Sequence, residues 1–252
     1  MKGSISVVGI GPGSRGMMSE EAINAILQAE VVVGYTTYLE IVQRELFAEA
    51  EQRPVFLSTP MRREQERCRL CLEEADKGHT VALVCSGDAG IYGMASPLYE
   101  MASAYEGCRI KVIPGITAAS AGAAILGAPL GHDFCVISLS DLLVSREQIE
   151  RRLLAAAEGD FVIVLYNPAS KKRQDYPSWV CELLIPRLGE ERPCGLVRNI
   201  GREGASHQVC RLGELASFSI DMITTVFIGN SKTRVIDGRL VTPRGYLYEQ
   251  EG

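Results

Sequence analysis

Short apolar runs and longer amphipathic stretches alternate along the chain, with glycine or proline at most junctions. Ser4 to Ile10 (SISVVGI) is β-rich and ends in glycines, and Ser19 to Ala29 has the apolar spacing of a helix. Ser19 is placed to cap it, with Glu20 and Glu21 favourable in the first turn. Val31 to Val33 and Val55 to Leu57 predict buried strands, Met61 to Lys77 a helix stopped by Gly78, and Thr80 to Cys85 another strand. Tyr92 to Tyr105 reads as a helix and Arg109 to Ile113 as a strand closing at Pro114-Gly115.

The pattern then restarts. Thr117 to Leu126 is a small-residue helix suited to close packing, followed by a strand (Phe134 to Leu139), a helix (Arg146 to Ala157), a strand (Phe161 to Tyr166) and a helix (Ser178 to Leu188). From Pro193 onward the character is β: Cys194 to Arg198, His207 to Leu212 and Thr224 to Gly229. Arg234 to Val241 predicts a hairpin, because Asp237-Gly238 supplies the positive φ angles of a type I′ turn. Alternating strands and helices place the chain in the α/β class. The expected organisation is an N-terminal α/β domain over 1–113, a linker at 114–116, and a C-terminal α/β domain over 117–252 that ends in antiparallel strands.

Composition narrows the functions. The chain has 252 residues, 46% hydrophobic and 23% charged, enough to bury a real core and too apolar for disorder. A net charge of -5 argues against a duplex nucleic-acid binder, which needs cations to neutralise phosphates. A polyanionic small molecule in a local basic pocket stays open. The early run Ile5 to Ile10 is cut by Gly9, Gly11, Pro12 and Gly13, and Ala118 to Leu130 is too short to span a bilayer. No export signal or membrane span is expected, and the default address is the cytoplasm. Eight cysteines do not form a disulfide framework; Cys68 and Cys71 make the only C-x-x-C, unanswered by a second pair, so no metal site is expected.

Candidate chemistry lies in glycine-bearing loops at strand ends. VVGIGPGS (Val7 to Ser14) suggests a dinucleotide fold, but Pro12 occupies the turn, Ser14 replaces the third glycine, and no ribose-binding acid follows Val33. That weighs against a nicotinamide-dependent oxidoreductase. In CSGDAGIYG (Cys85 to Gly93), Gly87 and Gly90 admit a ligand close to the backbone, and Asp88 offers a carboxylate, or simply caps the following helix. IPGITAAS (Ile113 to Ser120) reads as a linker with Thr117 as an N-cap. SLSD (Ser138 to Asp141), YNPASKKR (Tyr166 to Arg173) and VRNIGREG (Val197 to Gly204) complete the set; Lys171, Lys172 and Arg173 read equally as a solvated loop. Polar loops recurring at strand ends in both halves are how a cleft between two domains is built.

In order, GIGPG, SGDAGIYG, IPGITAAS, HDFCVISLSD, YNPASKKR, RNIGREG and TTVFIGNS resemble the tetrapyrrole methylase family from Ile5 to about Thr242, and within it the ring-contracting branch. Two departures stand out: Val144-Ser145-Arg146 where the family continues with Thr-Pro, and Ala205 where it carries an acid. The resemblance implies a class III S-adenosylmethionine methyltransferase, two α/β domains with the ligand cleft between them. It implies methylation of carbon 17 of a precorrin-3-type macrocycle with ring contraction, on the route to cobalamin, by a homodimer. A sibling acting at another ring carbon, a diphthine-synthase-like methyltransferase and a non-catalytic tetrapyrrole carrier are the rivals.

Carried over by position, the cofactor contacts are Pro12, Gly87, Asp88, Gly90, Ile91, Tyr92, Thr117, Ala118, Tyr166, Asn167, Thr224 and Thr225. An acidic tetrapyrrole makes Arg15, Lys171, Lys172, Arg173, Arg198 and Arg202 candidate clamps for its carboxylates. Contraction needs proton transfers, for which Asp88, Asp141, Ser140 and His132 are the candidates; His132 reads equally as a structural histidine.

Overall fold

The triple-valine run predicted as a buried strand is apolar throughout because it is covered on both faces. It belongs to a five-stranded parallel sheet of order β3-β2-β4-β1-β5, with β1 Ser4–Gly9, β2 Val31–Tyr35, β3 Val55–Thr59, β4 Thr80–Cys85 and β5 Arg109–Ile113. Side chains alternate across it. Val7, Val33 and Leu83 pack on one face with Leu72 and Leu98, from α3 (Glu64–Asp76) and α4 (Ala95–Ala102). Val8, Val32 and Val84 pack on the other with Ile26 and Val42, from α1 (Glu20–Leu27) and α2 (Thr36–Leu46). Continuous apolar strands are what a doubly covered parallel sheet requires. The computed structural model describes residues 3–103, 105, 107–170 and 173–246.

Ser19 caps α1 as expected, its hydroxyl accepting from Ala22 N at 3.1 Å. Helix α2 has no counterpart in the sequence pattern. It follows β2 without a turn, Tyr35 both ending the strand and capping the helix, and no side chain caps it. Helix α4 starts at Ala95, later than the predicted Tyr92, because Tyr92 sits at φ +52° in a tight loop.

The chain divides into two units, Met1–Ala118 and Ala119–Gly252. The second holds a mixed sheet of order β10-β9-β11-β8-β7: β7 Phe134–Ser138, β8 Val162–Tyr166, β9 Pro193–Arg198, β10 Ser206–Arg211 and β11 Thr224–Ile228. β7 and β8 run parallel, while β11 opposes both β8 and β9. One face packs on α6 (Arg146–Glu158) and α7 (Tyr176–Leu188), through Leu153, Val180 and Leu184. The small-residue helix α5 (Ala118–Leu126) packs closely on β11: a Cβ on Gly122 would stand 2.9 Å from the Phe227 ring. β6 (Gly127–Ala128) joins β12 (Arg234–Ile236) and β13 (Arg239–Val241) in a small sheet whose hairpin turns at Asp237 and Gly238, both at positive φ.

Candidate functional site

In the first unit, β1 leads away to β2 on the far side of β4, and β4 leads to β5 on the far side of β1. Their helices, α1 and α4, lie on opposite faces. This is a topological switch point, where open α/β sheets bind ligands beyond the strands' carboxyl ends. Both glycine-bearing loops are there. Gly11 and Gly87 exchange backbone hydrogen bonds, Gly11 N to Gly87 O at 3.0 Å and Gly87 N to Gly11 O at 2.8 Å. The β5 loop closes on them so tightly that a Cβ on Gly115 would stand 2.2 Å from Gly87 O and 2.6 Å from Gly9 O.

Asp88 organises this edge. Its Oδ1 accepts from Gly90 N (2.7 Å) and Ile91 N (3.1 Å), and its Oδ2 accepts from Gly115 N (2.9 Å). It therefore caps loop amides and ties the β4 loop to the β5 loop, where the sequence allowed either a helix cap or a proton-transfer group. Gly90, Ile91 and Tyr92 are exposed, as is Ile116 in the neighbouring loop. Pro12 is buried. Thr117 and Ala118 follow against Gly87, whose Cβ would meet Thr117 Cα at 3.8 Å. Arg15 stands exposed in a single turn of 3-10 helix, its backbone N donating to Glu45 Oε2 at 3.0 Å.

In the second unit the register brings four loops to one edge. Ser138 pairs with Tyr166, and Thr224 with Arg198, so the ends of β7, β8 and β9 and the start of β11 lie together. Asn167, at φ +52°, donates from Nδ2 to Ser138 Oγ (3.0 Å), and Ser138 Oγ also accepts from Ser140 N (3.2 Å). Tyr166 accepts at its hydroxyl from Ala119 N (2.7 Å), at the start of α5.

Charged side chains hold these loops. Arg173, buried to 8% exposure, donates to Leu139 O and Asn167 O and pairs with Asp141 Oδ1 at 3.4 Å. Asp141 Oδ2 accepts from the Tyr176 hydroxyl at 2.9 Å, and Asp141 keeps 38% of its side chain exposed. Burial, then the hydrogen bond to Asp141 and its negative charge, push the Tyr176 hydroxyl's pKa up. Arg173 is thus an internal strut and not a free clamp. Arg198 is likewise engaged, donating to Asp221 Oδ2 from Nε (2.9 Å) and lying 2.8 Å from it at NH2. Asp221 Oδ1 takes the Thr224 hydroxyl (2.8 Å) and Ile223 N (3.1 Å). Thr224 and Thr225 are buried, the former with its hydroxyl occupied.

Arg202 is half-buried in the turn that its N closes on Asn199 O (2.9 Å). Lys171 and Lys172 lie outside the described residues. His132 is placed elsewhere. It precedes β7, at the end opposite Ser138, which a strand of this length puts about 20 Å from the other loops. There it lies exposed, 3.7 Å from Asp133 Oδ2. The sequence reading missed Gly9 and Gly115 as close-approach positions, and Tyr176 and Asp221 as the partners of its predicted arginine and aspartate residues.

The sequence profile of the tetrapyrrole (corrin/porphyrin) methylases matches residues 4–216. The chain belongs to the tetrapyrrole methylase family. A probable cobalt-factor III C(17)-methyltransferase of Salmonella typhimurium is 46% identical over 243 residues, covering 96% of this chain and 99% of that protein. The cobalamin biosynthesis protein CbiHC of Archaeoglobus fulgidus is 42% identical, and this chain spans 53% of its length. The crystal structure of the methyltransferase CobJ aligns with a TM-score of 0.88 at 38% identity, over 96% of this chain and 100% of that one. The α/β fold agrees with that membership. Among the described residues no helix is long and apolar enough to cross a membrane.

Proposed function

We propose that this member of the family is an S-adenosylmethionine-dependent C-methyltransferase of the precorrin-3B C(17)-methyltransferase type. It methylates carbon 17 of precorrin-3, or of its cobalt-bearing counterpart, with contraction of the macrocycle, in cobalamin biosynthesis. The observation that carries the reading is the bare-backbone shelf at the switch point, Gly9, Gly11, Gly87 and Gly115 packed without side chains under the exposed Gly90–Tyr92 loop. The names of the full-length relatives support the substrate.

The residues present fit such a donor: the Gly90–Tyr92 loop is exposed beside these glycines, and Ile91, Tyr92 and Ile116 offer exposed apolar surface. When bound, S-adenosylmethionine supplies a methyl group on a cationic sulfur, which keeps the bonding pair as the ring carbon takes the methyl. Such a displacement needs alignment more than acid–base help, so rigid loops are the main requirement. Gly87, Gly90, Ile91, Tyr92, Thr117 and Ala118 are the proposed donor contacts.

Asp88 positions the loop. Asp141, oriented by Tyr176 and Arg173, retains a second lone pair on each oxygen, and with Ser140 it is the proposed proton-transfer group for contraction. Arg15 and Arg202 remain the proposed carboxylate clamps. A cytoplasmic homodimer is the proposed setting.

Calorimetric titration with S-adenosylhomocysteine, with NADH run in parallel, tests the donor. Saturable one-site binding of the former alone is expected; binding of NADH alone would sink the reading. Product mapping with a labelled methyl donor then identifies the ring carbon, and a carbon other than 17 would indicate a sibling activity.

A further inference from the structure

Arg67 is a charged residue that the fold buries with no counter-ion among the described residues. It lies on α3 at 5% exposure and makes three side-chain contacts, all to neutral atoms. Nε donates to Thr59 Oγ1 at 2.8 Å, NH2 donates to Pro60 O at 3.1 Å, and NH1 meets Met94 Sδ at 3.6 Å. Among the described residues no carboxylate forms an ion pair with it, although Glu64 and Glu100 lie near enough to act on its neighbour Cys68. The surrounding thiols offer no compensating charge. Burial pushes Cys68 and Cys85 up to about 11 and Cys71 well above its ordinary value. A buried cation without an anion is costly, and a packed apolar side chain of similar volume commonly serves stability as well or better.

The contacts indicate what Arg67 does instead. Thr59 and Pro60 end β3 and begin the loop after it, and Met94 closes the Ser86–Gly93 loop. That loop is anchored at its start by Asp88, whose Oδ2 reaches Gly115. At its end Ala95 N returns to Ala89 O (3.0 Å), and a Cβ on Gly93 would stand 2.4 Å from that same carbonyl, so the returning chain has almost no freedom. Met94 is the first side chain beyond this closure, buried to 6%, and Arg67 is what holds its sulfur. We infer that Arg67 is a positioning residue: it fixes the closing end of the Ser86–Met94 loop to β3, and so presets the Gly90–Tyr92 segment for the methyl donor. The inference rests on the reading of that loop as the donor contact.

The test uses the whole protein and two readouts, S-adenosylhomocysteine affinity by calorimetry and the urea unfolding midpoint. Arg67→Met is expected to bind on the order of tenfold more weakly, the worth of one or two hydrogen bonds, with a midpoint unchanged or raised. Arg67→Lys, which keeps the charge and part of the bonding, should recover part of the affinity. Wild-type affinity in Arg67→Met overturns the inference. So does an affinity loss that Arg67→Lys shares in full along with a lowered midpoint, since that is the mark of a residue serving only the fold. Should Arg67→Met not fold, Met94→Leu decides: it removes the sulfur acceptor at nearly constant volume, and unaltered affinity there overturns the inference. No binding by the wild-type protein would remove the donor reading itself, and the inference with it.

Discussion

At the carboxyl edge of the first sheet, Gly9, Gly11, Gly87 and Gly115 meet backbone to backbone, and one carboxylate, Asp88, gathers three loop amides. At the corresponding edge of the second sheet the loops are joined by side-chain charge, Arg173 with Asp141 and Arg198 with Asp221. The two constructions have different weaknesses. Close backbone contact, as at Gly9, Gly11 and Gly115, has no room for a methyl group. Guanidinium–carboxylate pairs tolerate small changes nearby but depend on both partners and on protonation. In the first unit the sequence is constrained by volume, in the second by charge.

The largest effect should come from adding one carbon to the backbone-built edge. A Cβ on Gly115 would press on two backbone carbonyls, Gly87 O in the β4 loop and Gly9 O at the end of β1, that cannot rotate away. Gly115→Ala should cost about 3 kcal/mol in urea unfolding and weaken S-adenosylhomocysteine binding sharply, since overpacking of a rigid contact has this magnitude. Gly87→Ala is the control: at φ +69° its Cβ would meet Thr117 Cα only at an ordinary 3.8 Å, so it should cost about 1–2 kcal/mol for left-handed backbone alone. Equal penalties for the two would break the comparison.

The charge-built edge should fail differently. Arg173→Met removes the donor to Leu139 O and Asn167 O and leaves Asp141 with Tyr176 as its side-chain partner among the described residues. Because Asp141 is partly exposed, the expected loss is about 2 kcal/mol, below that of breaking a fully buried pair. Donor affinity in the first unit's loop contacts should change less than in Gly115→Ala, whereas turnover should fall, because the strut orients Asp141. A loss of donor affinity as large as that of Gly115→Ala would count against separate roles for the two edges.

These differences were unevenly legible in the sequence. The strands were readable because period and turn residues agree: VVV with glycine beyond it, TVALVC between Gly78 and Gly87, and Asp237-Gly238 at a hairpin. Helix α2 was not, because no cap or breaker separates it from β2, although Leu39, Val42 and Leu46 bury an i, i+3, i+7 stripe. Asp88 was visible as a carboxylate in a glycine loop, but its partner Gly115 lies 27 residues away and contributes only an amide. Arg173 looked like the end of a run of solvated cations. Nothing local indicates that it folds under Leu139, 34 residues earlier. For Asp221 a signal was present: an acid three residues before Thr224 is an Asx-type turn, and the hydroxyl bonds to it. Long-range partners of loop side chains are set by strand order, which apolar periodicity does not encode.

The smallest effect is the most diagnostic of charge. Burial alone would raise the Asp221 carboxyl, but hydrogen bonds from Thr224 and Arg198, together with the Arg198 charge, outweigh it and hold the pKa below the usual carboxylate range. A carboxyl depressed in the folded state adds stability that is fully present above its unfolded value, about 3.9, and is lost as pH falls through the folded one. With 40% of the Asp221 side chain exposed, screening keeps this contribution under about 1 kcal/mol. Asp221→Asn should therefore be slightly less stable than wild type at pH 7, and the gap should close as the pH drops below about 4. The substitution preserves an acceptor for Thr224, so the gap reports mainly the Arg198 pair, and added salt should narrow it at neutral pH. Gly115→Ala, measured in the same series, should show a deficit that added salt does not narrow. An Asp221→Asn gap that widened on acidification would mean that the Arg198 pair does not stabilise this edge, and that the second unit, like the first, is held by its backbone.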